Sequence, residues 1–300
     1  MIPRQLAKAL SQELHEAVNA QPRYLTALID MARVPPEQRQ ELEMQLAAHA
    51  HPLLLAPGLE ALQPLGAMLI GEPGDGLAQS EAVLARVQKH CAEHVQAWIT
   101  SVMPAPELTL HLGGATYALG PARERYLLRY YDPLVTPVLH QQADRDWVSW
   151  FFAPVLSWWF PGTKQQEPTW YRIRGQGHRP ATNAPPLHIT DDLWQALESD
   201  PLPHRLLRTL EAQCPQLFTS DCSGVRLSVV QAQLDAARQR GLTRHEDLTT
   251  YVMVGLAQPW DDLATDRRWR LALERAVTGI QPLHESLAHL HGTRREGVPQ

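Results

Sequence analysis

Arg125-Tyr126-Leu127-Leu128-Arg129-Tyr130-Tyr131-Asp132-Pro133 is the stretch on which the reading of this chain turns. A run of aromatic and apolar residues closed by Asp-Pro predicts a buried strand that ends in a sharp turn. Alternation places Tyr126, Leu128 and Tyr130 on one face and Leu127, Arg129 and Tyr131 on the other. An arginine is thereby set among apolar neighbours, where its charge needs a partner or a path to water along its own stem.

Downstream of that stretch the question is where the next helix begins. With Asp132 as N-cap and Pro133 at the first helical position, Pro137 falls in the helix interior and clashes. Thr136 as cap with Pro137 as first residue avoids the clash and leaves Asp132 in a turn of its own. Asp146 to Phe160 is an aromatic block holding Trp147, Trp150, Phe151, Phe152, Trp158, Trp159 and Phe160, and Trp170 to Arg174 reads as a last strand. Of nine tryptophans, five fall between Trp147 and Trp170, and the Pro-Gly after Phe160 suggests a loop mouth at which some of them are exposed.

Upstream, Leu6, Leu10, Leu14 and Val18 recur at helical spacing, and Tyr24 to Asp30 reads as a strand ending in an acid. Pro35-Pro36 signals a helix start, and Leu53 to Leu55 and Ala67 to Ile70 read as short strands. After the Gly71 to Gly76 loop, Ser80 can cap a helix carrying Val83, Val87, Cys91 and Val95, and Trp98 to Val102 is another strand. Glu107 to Leu119 is open between helix and strand because of Gly113-Gly114. Helices and strands thus alternate, which predicts an α/β lobe, a mixed sheet with flanking helices, over residues 1–178. Gly175 to Pro186, with two glycines and three prolines, has the composition of a linker, which is placed at residues 179–186. Residues 187–300 are helical in pattern: Leu227, Val230, Leu234 and Ala237 form a stripe stopped by Gly241, Thr243 and Glu246 have capping-box spacing, and Trp269 to Ile280 marks a further helix before a polar tail from Gly292.

With 27 basic against 32 acidic side chains, the net charge of -5 offers no basic footprint for nucleic acid. Phe151 to Phe160, interrupted by Pro154, is only about ten residues, half of a membrane span. Cys91, Cys214 and Cys222 lack CxxC spacing and fit reduced thiols, and Met1 to Gln5 lacks a secretory pattern, so the expected location is the cytoplasm.

Asp30 and Asp132 each end a predicted strand, where two carboxylates could hold a metal or exchange protons, with Arg33 and Arg129 contacting phosphate. The plainer reading is that Asp is common in turns and that Arg129 makes a structural ion pair. His90 and His94 share a helix face, but Cys91 lies about 100° away and no third ligand follows from sequence. His284 and His289 are spaced i to i+5, unlike HExxH. No P-loop, dinucleotide fingerprint or nucleophile elbow is present. No catalytic, metal or cofactor residue is therefore assigned.

Tyr24 to Ala32, Leu127 to Pro133, and Phe151-Phe152-Ala153-Pro154-Val155 with Trp158 together resemble the type VI secretion effector chaperones, or adaptors, with Ala153 where that family usually has Gly. The resemblance covers about the first 160 residues, and the helical half matches the family's variable region in organisation alone. It implies a non-enzymatic cytoplasmic protein of a Gram-negative bacterium that binds a cognate effector, keeps it soluble and helps load it onto the spike (valine-glycine repeat) protein. On that implication Arg129, Asp132, Tyr130 and Asp30 shape a binding lobe. Trp150, Phe152, Trp158 and Trp159 then join the helical lobe in lining a cargo groove. The competing expectation is a metal- or phosphate-dependent hydrolase using Asp30 and Asp132.

Overall fold

The computed structural model describes residues 3–15, 22–74, 76–121, 123–142, 145–164, 167–181, 185, 187–197, 201–258 and 260–292. Val18 of the first helical stripe, Asp75, most of 182–186 in the expected linker and the tail after Gly292 lie outside them. Contacts divide the chain into two compact units. The first comprises Met1–Lys164, Pro168–Ser199 and Cys222–Val225, and the second Gln165–Glu167, Asp200–Asp221 and Arg226–Gln300.

In the first unit the elements follow in the order α1 (Arg4–His15), β1 (Tyr24–Asp30), α2 (Pro36–Leu46), β2 (Ala50–Pro52), β3 (Ala67–Ile70), α3 (Gly76–His90) and β4 (Val95–Ser101). Next come α4 (Ala105–Gly113), β5 (Tyr117–Leu119), β6 (Arg125–Leu127), α5 (Thr136–His140), α6 (Asp146–Phe152), β7 (Val155–Lys164), β8 (Glu167–Arg174) and α7 (Asp191–Leu197). Six strands form one sheet in the order β2-β3-β1-β4-β7-β8. The mixed sheet expected from alternation is antiparallel: β1 pairs so with β3 and β4, β2 with β3, and β4 with β7.

Strand β1 is buried from Leu25 onward because both faces of the sheet are covered. Leu25, Ala27 and Ile29 join Leu6, Leu10 and Leu14 of α1, Leu42 and Leu46 of α2 and Val83 and Val87 of α3 in one apolar cluster. Leu28, of opposite parity, joins a second cluster with Leu108 and Leu112 of α4, Phe151 and Phe152 of α6, and Leu193 of α7. The sheet is thus the middle layer, and each fully buried Leu or Phe contributes about 1.5–3 kcal/mol of burial. Leu187, Ile189 and Leu193, expected to open the helical domain, are in this second cluster, so the first unit runs past the expected linker.

The opening stretch departs from its reading. Only Arg125–Leu127 are extended, and they pair with Tyr117–Leu119 in a separate ribbon whose outer strand is exposed. Leu128 donates its N–H to Thr116 O at 2.8 Å, after which the chain turns, so Tyr130 and Tyr131 enter the core from a turn rather than from a central strand. Tertiary packing overrides the β-propensity here. Trp158 to Gly162, read as a loop mouth, lie inside β7. A Cβ on Gly162 would stand 2.3 Å from the Tyr171 ring, so this glycine serves close packing against β8 rather than a turn. Pro161 fits because the β4 ladder stops at Trp159.

Smaller differences follow the same logic. Leu53 to Leu55 are not extended; the short strand is Ala50–Pro52 just before them. Ser80 lies within α3 rather than capping it, and α5 starts at Thr136 with Pro137 in its first turn. Thr243 does not cap α10, whose N-cap is Arg244.

The second unit is helical: α8 (Leu202–Gln213), most of α9 (Ser223–Gln239), α10 (His245–Ala257), α11 (Trp260–Thr265), α12 (Arg267–Val277) and α13 (Leu283–Gly292). The Leu227, Val230, Leu234 and Ala237 stripe is buried, and Gly241, at φ 91°, ends α9 as expected. Asp247 is 1% exposed, accepts the Leu283 N–H at 2.7 Å and takes the Arg244 Nε at 2.7 Å, fixing the start of α13 against α10.

Candidate functional site

Asp30 ends β1 opposite Ala67 of β3, and by alternation its side chain shares the face of Leu28. One carboxylate oxygen accepts the Ala32 N–H at 3.2 Å and caps the short helical turn Met31–Arg33. The other accepts from Arg129 Nη2 at 2.5 Å and lies 3.5 Å from Arg33 Nε. Arg39 braces the same turn, donating through Nε to the Met31 and Val34 carbonyls at 3.0 and 2.9 Å. One acid 2% exposed is therefore ringed by arginines, as a buried carboxylate requires.

Arg129 retains 43% exposure of its side chain, so one side of the pair is open to water. Its guanidinium carbon lies 5.4 Å from the centroid of the Tyr131 ring. Burial draws the Arg129 pKa down, and Asp30, Tyr131 and Asp132 more than offset it, leaving the guanidinium above its ordinary value. Burial, reinforced by Asp30 and Asp132 and opposed by Arg129, pushes the Tyr131 phenol up.

Asp132 does not join the Asp30 pair. Its carboxylate accepts the Leu134 N–H at 2.9 Å, and its carbonyl accepts the Val135 and Thr136 N–H groups at 2.9 and 3.0 Å. The Thr136 hydroxyl lies 2.7 Å from the Tyr130 carbonyl, tying the turn to the start of α5. Asp132 thus shapes the turn that Pro137 had implied for it. Tyr130 is 1% exposed and packs edge-on against Phe151 at 5.0 Å and Tyr131 at 5.6 Å; burial pushes its phenol well up.

The expected exposed aromatic surface is absent from the block that suggested it. Phe152 and Trp158 are 2% and 0% exposed, and Trp150 and Trp159 are half-buried. Trp150 lies 4.0 Å, ring to ring, from His111 of α4, whose imidazole burial drives toward the neutral form. The reason is placement: α6 and β7 set Trp150, Phe152 and Trp158 in the cluster that includes α4, while Trp159 points to the other face and packs against the cluster that includes α1, rather than standing on a loop. Exposed apolar side chains of the first unit lie elsewhere, among them Leu110 and Leu55, with Leu55 packed at the Gly113 end of α4, and Tyr126 and Leu127 on the ribbon.

Sequence reasoning missed Glu13. This α1 residue accepts from Thr100 Oγ1 at 2.8 Å, from Ser157 Oγ and from Trp159 Nε1 at 3.2 Å, and pairs with Arg172 Nε at 2.8 Å. Its signal was present: Glu13 falls i+3 from Leu10 and beside Leu14, on the apolar stripe of the helix, where an acid needs buried partners. Burial raises the Cys91 thiol to about 12, which makes it an inert core residue rather than a ligand. Among the described residues no three His, Cys, Asp or Glu side chains are placed to hold a metal ion, and no helix is long and apolar enough to cross a membrane.

The first unit is a two-faced antiparallel α/β layer carrying an arginine-ringed acid, and the second is helical. Residues 25–148 match the model of a domain of unknown function (DUF4123), a family associated with type VI secretion effector adaptors. The match runs from β1 into α6 and encloses Asp30, Arg129, Tyr130 and Asp132, while Trp150, Phe152, Trp158 and Trp159 lie beyond it. No curated protein and no solved structure matches the chain.

Proposed function

We propose that this protein is a cytoplasmic chaperone, or adaptor, that binds a cognate type VI secretion effector, keeps it soluble and helps load it onto the spike (valine-glycine repeat) protein. The observation that carries the reading is the family match over residues 25–148, which encloses the segments that meet in the Asp30–Arg129 pair. The site's chemistry supports binding over turnover. Asp30 is engaged by Arg129 and the Ala32 N–H, and Asp132 by the Leu134 N–H, so each carboxylate that a hydrolase reading needs is already serving local structure. Client contact falls to the exposed apolar side chains around Leu110 and Leu55 and to the ribbon residues Tyr126 and Leu127, since Tyr130, Phe152 and Trp158 are buried.

Co-expression with the product of the neighbouring effector gene tests this. The expected result is effector moved into the soluble fraction and a complex that survives size-exclusion chromatography. Unchanged effector solubility with no complex after purification refutes the proposal.

A further inference from the structure

The second unit holds a pocket of about 490 Å³ lined by Pro201, Leu202 and Arg205 of the α8 start, Arg238 near the end of α9, and Leu242, Thr243, His245 and Leu248. Its floor and rim differ in kind. Leu202, Leu242 and Leu248 are 6%, 1% and 5% exposed, whereas Arg205, Arg238 and His245 are exposed at the surface. Among the described residues no acidic side chain lines it. Three described acids close in sequence to the α9–α10 part of the lining are engaged with arginines: Asp235 with Arg238 at 3.8 Å, and Glu246 and Asp247 with Arg244 at 3.9 and 2.7 Å. Among the described residues the side chains of Arg205 and His245 have no hydrogen-bond or ion-pair partner. In a chain of net charge -5, the Arg205 guanidinium is thus an unpaired positive charge beside an apolar base.

From the apolar floor and the unpaired Arg205 guanidinium at its rim we propose that this pocket docks a partner polypeptide segment in which an Asp or Glu stands beside an apolar side chain. The apolar side chain fills the space over Leu202, Leu242 and Leu248, and the carboxylate meets the Arg205 guanidinium, whose planar fork suits a bidentate contact. The volume lies in the range of pockets that enclose one or two side chains rather than a flat interface. Desolvation of the carboxylate at the rim is partial, so the charge pair adds selectivity and the apolar contact adds most of the affinity. This assignment stands on the pocket and is independent of the effector-chaperone proposal.

The test uses the full chain immobilised and panned against a random peptide library displayed on phage, with the Arg205→Glu variant as a parallel target. Arg205 is exposed, so the variant keeps its fold, which circular dichroism and thermal melting verify. The expected outcome is enrichment on the natural chain of peptides pairing Asp or Glu with Leu, Ile or Phe, absent on the variant. A synthetic, fluorescein-labelled copy of the most enriched peptide should bind about tenfold more weakly to Arg205→Glu by anisotropy, a loss of about 1.4 kcal/mol. Its Asp/Glu-to-Lys counterpart should not bind. Three results overturn the proposal: no consensus, a consensus without acid, or equal binding to both proteins. Displacement of the peptide by millimolar inorganic phosphate alone would also overturn it, because it would reveal a site for free anions. A positive result with no effector complex in co-expression leaves the pocket standing and removes only the chaperone reading.

Discussion

Glu13 and Asp30 are two buried carboxylates on opposite faces of one sheet, and they are solved differently. Glu13 takes four side-chain donors from β4, β7 and β8, so it fastens a whole helix across three strands. Asp30 takes one backbone N–H from its own turn and a guanidinium that keeps 43% of its side chain exposed, so it fastens a turn to a turn. The difference teaches what the number of donors decides. Both counter-ions reach solvent, Arg172 at 31% and Arg129 at 43%, but Glu13 has three further side-chain donors, whereas Asp30 has one backbone N–H and the more distant Arg33.

The comparison can be broken most directly at Glu13. Replacing it by Ala strands Thr100, Ser157, Trp159 and Arg172, and should cost about 3–5 kcal/mol in urea unfolding. A loss no larger than that of Arg129→Ala would erase the distinction. Arg129→Ala leaves Asp30 with Arg33 and one N–H; because the lost partner is nearly half exposed, the expected cost is about 2 kcal/mol. A double-mutant cycle with Asp30→Asn and Arg129→Leu sharpens this, with an expected coupling of about 1 kcal/mol. Near zero coupling would assign the Asp30 role to its turn cap alone.

The smallest effect comes from acid. Burial lowers the pKa of His94 and His111 below 6.5. In the window beneath 6.5 the unfolded chain therefore binds more protons than the folded one, and stability falls as pH drops through it. Chemical denaturation at stepped pH should give one slope for the natural chain and for Arg129→Ala. Different slopes would mean that the Asp30 site is coupled to these histidines.

Much of the scaffold was legible because local signals and packing agree. Tyr24 to Asp30 is a strand with the bounds its pattern suggested, Pro35-Pro36 opens α2, and Gly241 closes α9. The Arg129 ion pair was legible as a need, since a charge among apolar residues requires a partner; the partner itself, 99 residues away, was not. What misled was composition read without packing. Tyr130 and Tyr131 have the β-propensity of strand residues, yet a turn delivers them to the core. Pro161-Gly162 has the composition of a turn, yet Gly162 lies in a strand because the Tyr171 ring leaves no room for a Cβ. Both errors share a cause, a neighbour distant in sequence occupying the space that decides the local conformation.

The separations around the two acids also order events during synthesis. Asp30 leaves the ribosome 99 residues ahead of Arg129, and Glu13 precedes Ser157 and Trp159 by 144 and 146. While the chain is growing, α1 therefore has no finished surface on which to settle its acid. The first unit can close only after β7 has emerged, and a nascent chain halted before Val155 remains in an open, protease-sensitive form.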